Sequence, residues 1–488
     1  MRLAAGHRAA GLGGMKSKSE IPECWGIHGV HQSGHWDSGD STLGGWDKPQ
    51  SSCRKMDSIT GEPMRLELGG VQVYRPLLSF SKERLMATCV KGGMPWFEDP
   101  TNTDPTLTPR NAIRYIFKAY SLPSALQKPS LLALSCRLQE RRYVIEREAY
   151  DMLRRSGVGR FDTRAGTLVI RFAKPLVDMH TKIPLDTEDE KLSLNSQRQI
   201  ARLALQLAIE CVTPEERVSI KGESYAERAV FPSLYSQGSQ QEPLEARNFS
   251  IASVKFTRLV QQHLTDPDHK QISEQECGRS PRNYLDPTFL DGQTWLISRQ
   301  PYPSLESDRP RLVFQPNSLP SQRSPTWALY DGRYWIRVTD RTPRPLHVRP
   351  FCPKDMQLLR QTFRGKHPEI WNQLIGLLKK AAPGDIRFTL PVIVEATTVP
   401  GSDSQCPNTI SGTERIVALP TLPITLPNQD RNLEFEIRYK KVPEPVWEWY
   451  EESSTGRGEG VRPAWPESRP TERKKQEKEL TPRRREES

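Results

Sequence analysis

Alternating apolar positions become regular only at Met64. Before it, residues 16–61 are polar, rich in Gly and Ser and dotted with Trp and His, the composition of a loop or insertion. In MRLELGGVQVYRPLL the residues Leu66, Leu68, Val71 and Val73 alternate as on a strand. A helix is expected next. Ser81 suits its N-cap, Glu83 its first turn and Gly92 its C-cap, with Leu85, Met86, Cys89 and Val90 on one apolar face. A second helix should start with Thr108 as cap and Pro109 in the first turn, and stop near Pro123. Its stripe Ile113, Ile116, Phe117 and Tyr120 has helical spacing and is expected to face a core, with Arg110 and Arg114 one turn apart beside it.

Further along, residues 130–156 carry charges of both signs on a helical pattern, expected to be one exposed helix or a pair. Thr167–Phe172 has strand character, and Gln197–Val212 is a strongly apolar helix. From Gln293 short strands return. The clearest hairpin is TWALYDGRYWIRV, where Asp331-Gly332 signals a type I′ turn between Trp327, Tyr330, Tyr334 and Trp335, aromatics expected to be mainly core. Asp355–Lys380 should be helix, and Asp385–Glu395, Arg415–Leu419 and Leu433–Lys441 strands. The expected divisions are 1–122 (with 16–63 a loop or insertion), a helical region 123–245, a loop-rich linker 246–292, an α+β region 293–445 and a disordered charged tail 446–488.

Composition narrows the classes. The 488 residues hold 70 Lys and Arg against 59 Asp and Glu, a net charge of +11 that suits a polyanionic partner. Hydrophobic residues make up 35%, and 42 Pro point to much loop. No run approaches the ~18 apolar residues of a membrane span. Eight Cys at irregular spacing exclude a disulfide scaffold and suggest free thiols. Cys24, His28, His31 and His35 cluster, yet no common zinc spacing fits, so a solvated insertion is expected and no metal site is assigned. The tail ERKKQEKELTPRRREES is expected to be solvated.

The chemically richest stretch is 73–115. Glu98, Asp99, Asn102 and Asp104 form an acidic, amide-bearing loop that could hold an ammonium group. It leads straight into a helix start with Arg110, Asn111 and Arg114, groups suited to phosphate. A capped turn with surface ion pairs is the alternative on charge pattern alone.

The order of these residues resembles tRNA(Ile)-lysidine synthetase. The chain has Arg75-Pro76-Leu77-Leu78, then Ser81-Lys82, then Trp96 through Asp104 as Trp-x-Glu-Asp-Pro-Thr-Asn-x-Asp, then Arg110-Asn111-Ala112-Ile113-Arg114. Met1-Arg2-Leu3, Gly6, Gly11-Leu12 and Gly14-Met15 are similar to the family's segment following its His-x-x-Asp-Asp-Gln-x-Glu-Thr motif. These matches cover about an eighth of the chain, and the insertion and the segments DGRYWIRV, LHVRPF and IRFTLPVIVE resemble the enlarged fungal members. The chain lacks both the Asp-Asp-Gln motif and the family's Ser-Gly-Gly-x-Asp-Ser loop for the pyrophosphate of ATP. Met1 is therefore expected to be an internal methionine of a longer protein, and the chain alone inactive.

The resemblance implies an α/β fold: a remnant of a parallel-sheet PP-loop ATP-pyrophosphatase domain, a helical middle part and an α+β C-terminal region. It implies an ATP-dependent carbon–nitrogen ligase, with ATP and Mg as cofactors, that joins free lysine to C2 of the wobble cytidine of CAU-anticodon isoleucine tRNA through an adenylylated base. By carry-over, Asp99, Asn102, Arg110 and Arg114 are catalytic candidates. Glu98, Asp104 and Asn111 are candidates for substrate binding, Asn111 by fixing the loop. The mitochondrion is the expected site, with the cytoplasm as the alternative. A tRNA-binding module without catalysis, or a tRNA 2-thiocytidine synthetase, are the alternatives, the latter short of the cysteine pairs such enzymes use.

Overall fold

The computed structural model describes residues 3, 5–6, 9–21, 64–67, 72–175, 190–216, 218–220, 224–235, 247–260, 291–303, 309–314, 327–340, 346–396, 414–422, 426 and 433–443. All of them belong to one compact unit, Met1–Ser454; a second unit, Thr455–Ser488, lies outside the described residues, as do the Cys24/His28/His31/His35 cluster and the charged tail.

A short helix α1 (Ala9–Leu12) leads into β1 (Lys18–Glu20), then β2 (Arg65–Leu66) and β3 (Gln72–Tyr74). β1 and β3 form an antiparallel ribbon, with Lys18 opposite Tyr74. Arg75 Nη1 ties the ribbon by donating to Ser19 Oγ at 2.9 Å and Lys16 O at 3.2 Å. Helices α2 (Lys82–Lys91), α3 (Pro109–Ala119) and α4 (Lys128–Arg155) follow. The caps of α2 and α3 are those the side chains dictate. Ser81 accepts from the Arg84 N–H, Gly92 closes α2, and Thr108 accepts from the Asn111 N–H ahead of Pro109.

The apolar stripes of these helices are a correction to the expected core. Neither α2 nor α3 buries a single apolar side chain. Ile116 and Phe117 are each 41% exposed, Tyr120 63% and Val90 66%. The pattern makes each helix amphipathic, but no described element covers the apolar side, and periodicity alone cannot supply a partner. The core begins instead at the C-terminal half of α4, where Ala149, Met152 and Leu153 are buried against α5 (Glu190–Glu210).

Beyond α4 the chain forms β4 (Gly157–Asp162) and β5 (Thr167–Arg171) ahead of α5, then α6 (Tyr225–Val230), β6 (Phe249–Ile251), β7 (Val254–Val260) and β8 (Asp291–Arg299). These strands make one antiparallel sheet in the order β4-β5-β8-β7-β6. That sheet spans the divisions expected at 245 and 292, because a two-stranded hairpin such as β4–β5 needs further strands to be stable. Ile200, Ala204 and Leu205 of α5 lie in one core with Leu168, Ile170, Phe256 and Ile297 of the sheet.

The remaining elements are β9 (Leu312–Phe314), β10 (Ala328–Tyr330), β11 (Tyr334–Asp340), β12 (Leu346–Pro350), α7 (Pro353–Phe363), α8 (Pro368–Ala381), β13 (Pro391–Ala396), β14 (Glu414–Ala418) and β15 (Leu433–Tyr439). They form two four-stranded sheets, β14-β13-β12-β9 and β10-β11-β15-β2. Helices α7 and α8 cover the first through Leu359, Phe363, Leu374 and Leu378, packed with Val392 and Val394. The single helix expected over Asp355–Lys380 is broken before Pro368, whose ring disfavours helix at the preceding residue. The strand expected from Asp385 starts only at Pro391, after a 3-10 turn over Gly384–Thr389.

The hairpin forms as its Asp-Gly pair predicts: Asp331 has φ +47° and Gly332 φ +57°. Trp327, Tyr330, Tyr334 and Trp335 are all buried. Adjacent Tyr334 and Trp335 face opposite sides of the strand, so this sheet is covered on both. Tyr334 stacks edge-on with Tyr439, and the Arg438 and Arg337 guanidinium groups lie 4.3 and 4.9 Å from the Trp327 ring. Buried Arg333 joins the hairpin to its neighbours by donating to Asp331 at 2.8 Å and to Thr389 O at 2.8 Å.

The fold is thus mixed α and β. The described strands pair antiparallel, save the two-residue β2, which runs parallel to β15, so a parallel sheet within 1–122 is not seen among the described residues. No helix there is long and apolar enough to cross a membrane, and Cys89, Cys136, Cys211 and Cys352 are free thiols.

Candidate functional site

The loop between α2 and α3 is built from two copies of one local device. Asp99-Pro100-Thr101 and Asp104-Pro105-Thr106 each bend the chain around an aspartate. Asp99 Oδ1 accepts from the Thr101 N–H at 3.0 Å and from its hydroxyl at 2.7 Å. Asp104 Oδ1 accepts from the Thr106 N–H at 2.8 Å and hydroxyl at 2.6 Å. Proline supplies a fixed φ, and the aspartate mimics the turn's own carbonyl. The first device caps a 3-10 turn over Pro100–Thr103, within which Asn102 Nδ2 donates to Asp99 O at 3.2 Å.

Asn111 holds both devices from below. It is 6% exposed, and its Nδ2 donates to Thr101 O at 2.9 Å and to Asp104 O at 3.0 Å. Its Oδ1 accepts from Arg114 Nη1 at 3.3 Å, and the same Nη1 donates to Asn102 Oδ1 at 2.5 Å. One face of α3 thereby fixes the loop's fold, orients its amide and positions an exposed guanidinium.

Electrostatics keep the loop's acids charged. Hydrogen bonds from the Thr101 and Thr106 hydroxyls, then from their N–H groups, hold Asp99 and Asp104 below the ordinary carboxylate range. Glu98 is lowered by the hydrogen bond and charge of Lys82, whose Nζ lies 2.8 Å away. This last pair is well exposed and adds little to stability.

Of the seven sequence-derived residues, the structure brings together Asn102, Asn111 and Arg114, with Asp99 and Asp104 turning the backbone around them. Glu98 is directed to Lys82. Arg110 is exposed and has no hydrogen bond or ion pair among the described residues. Thr101 and Thr106 were missed as functional side chains; the repeated Asp-Pro-Thr was the signal. Phe97 was missed too, and its 96% exposure has no counterpart in local pattern.

Residues 50–119, which hold this loop and both flanking helices, match the PP-loop domain family. Over 357 residues the chain is also 24% identical to the probable tRNA(Ile)-lysidine synthase of Schizosaccharomyces pombe (strain 972 / ATCC 24843), a match covering 71% of this chain and 59% of that protein. The chain resembles the tRNA(Ile)-lysidine synthetases. It spans about three-fifths of the length of this fission-yeast relative. No solved structure matches it.

The described residues do not fit the triphosphate or metal that the family implies. The Gly92 and Gly93 N–H groups are spent on Thr88 O at 2.9 Å and Val90 O at 3.2 Å. Gly13 lies against α4, its carbonyl accepting from Gln139 Nε2 at 2.5 Å. No group of three His, Cys, Asp or Glu capable of holding a metal occurs among the described residues.

Proposed function

We propose that this chain belongs to an ATP-using enzyme that modifies tRNA, and specifically one that joins the ε-amine of lysine to C2 of the wobble cytidine in a CAU-anticodon isoleucine tRNA. The observation that carries the reading is the Asn102–Arg114–Asn111 clamp, lying within the stretch matched by the PP-loop family. Its chemistry suits the two ends of such a reaction. Asp99 and Asp104 stay ionised and retain a second carboxylate oxygen for an ammonium ion. Arg114 and Arg110 offer N–H groups to phosphate. A loop held by backbone-directed hydrogen bonds keeps these groups in place before substrate arrives, which is where positioning gains rate. Mitochondrial location is part of the proposal, supported by the likeness to fungal members.

The test is ATP-dependent incorporation of labelled lysine into CAU tRNA by the protein purified from its native source. Asn102→Ala and Arg114→Ala are each expected to lower incorporation about 100-fold while leaving the thermal transition unchanged. Absence of incorporation by the wild-type protein contradicts the reading.

A further inference from the structure

Phe97 stands out from the loop that surrounds it. Of the exposed large hydrophobic residues among those described it has the highest exposure, 96%, although the two residues that follow it are engaged. Glu98 is held by Lys82, and Asp99 by Thr101. The turn that follows the ring is further fixed at Asp99 O by Asn102 and at Thr101 O by buried Asn111. A phenyl ring at the edge of a fixed turn, turned to water, is arranged to meet something planar and apolar at little ordering cost.

The charge around it selects the class of partner. Lys82 is paired with the adjacent Glu98, and the charge of Lys118 also acts on that carboxylate, so two cations flank the residue next to the ring. Between residues 74 and 120 there are seven Lys and Arg against four Asp and Glu. All four acids are engaged locally: Glu83 at the start of α2, Glu98 with Lys82, Asp99 with Thr101 and Asp104 with Thr106. Trp96 beside the ring is 42% exposed, and Tyr115 and Tyr120 of α3 form an exposed edge-to-face pair 6.4 Å apart. Exposed aromatic faces amid an excess of cations complement unpaired nucleotides, whose bases stack while their phosphates meet the cations.

We propose that Phe97 is a stacking platform for an unpaired base of a single-stranded RNA loop, with Lys82 and Lys118 meeting the phosphates on either side. This rests on the reading that RNA is the substrate, and it names a base-positioning residue that the carry-over from the family did not. A protein partner is the competing occupant. The exposed apolar stripes of α2 and α3 suit that occupant better than do aromatic rings set among lysines.

The experiment titrates the full chain with a 17-nucleotide CAU anticodon stem-loop, and with a fully paired duplex of the same composition, at several salt concentrations. Wild-type protein is expected to prefer the stem-loop. Phe97→Ala should weaken stem-loop binding about 5- to 100-fold with an unchanged salt slope, and Phe97→Trp should restore it. Lys118→Gln should instead reduce the salt slope by about one. Because the ring is exposed, Phe97→Ala should melt with the wild type. If the wild type binds the stem-loop and Phe97→Ala binds it equally well, the platform is overturned while the RNA reading stands. If the wild type binds neither RNA, both fall. If Phe97→Ala leaves RNA affinity unchanged and shifts the sedimentation coefficient, the ring belongs to a protein contact, which also overturns the proposal.

Discussion

Arg114 Nη1 donates to Asn102 Oδ1 across twelve residues of chain, and to Asn111 Oδ1 one helical turn before it. A single guanidinium nitrogen thus spans the loop and the helix that holds it. Asn102 shares its amide between this arginine and the backbone of Asp99, so neither residue can be altered without releasing the other.

Loosening the support beneath the loop should be distinguishable from removing its chemistry. Asn111→Ala leaves the carbonyls of Thr101 and Asp104 without their donor, a loss of about 1–3 kcal/mol confined to the loop. Faster amide exchange is expected at residues 101–106, with the main unfolding transition unmoved, since the Asn111 side chain bonds only within this loop and its helix. Unchanged exchange there would show that the aspartate turns stand without it.

Helices α2 and α3 should be the least protected in the described unit. Neither buries an apolar side chain, whereas α5 lies in the main core through residues such as Ile200 and Ala204. Local opening depends on buried contacts, so amides in α2 and α3 should exchange orders of magnitude faster than those of α5. Equal protection in the purified chain would mean that these stripes are covered in solution.

Acid should destabilise the C-terminal sheets through Glu414. Its carboxylate hydrogen-bonds His347 at 2.9 Å and pairs with Arg349 at 2.6 Å, and the first of these, then the second, lowers its pKa from 4.5 to about 2. A depressed folded-state pKa gives a contribution that is full above about 4.5 and is lost as pH falls from there through about 2. Chemical denaturation of the wild type should show stability falling between those limits. In Glu414→Gln the fall should be shallower; an identical slope would remove Glu414 from the account.

The hairpin turn is a steric keystone. A Cβ on Gly332 would lie 1.9 Å from Pro214 O, on a backbone already at φ +57°. Gly332→Ala is expected to cost about 2–4 kcal/mol, read by denaturant titration, and a cost below about 0.5 kcal/mol would show that the turn moves freely away from Pro214.

Much of this arrangement was visible in local chemistry. Ser81, Thr108 and Pro109 mark helix starts because caps act within three residues, and Asp331-Gly332 marks its hairpin because the turn itself requires positive φ. The clamp was legible only as an ordered set of residue types. That Asn111 is buried beneath two turns, and that Arg110 turns to solvent while Arg114 bridges, depends on three-dimensional closure of the loop. Stripe residues Ile116 and Phe117 misled for a related reason: amphipathic spacing states which side is apolar, not whether anything lies against it. The joining of β5 to β8 escaped as well, since pairing over more than a hundred residues leaves no short-range mark.

The most direct measurement is nucleoside mass spectrometry of CAU-anticodon isoleucine tRNA from cells with the gene intact, disrupted, or carrying Arg114→Ala. The account predicts a wobble cytidine bearing lysine in the intact cells and unmodified cytidine in the other two. Lysine-bearing cytidine persisting after disruption, or absent from intact cells, would contradict it.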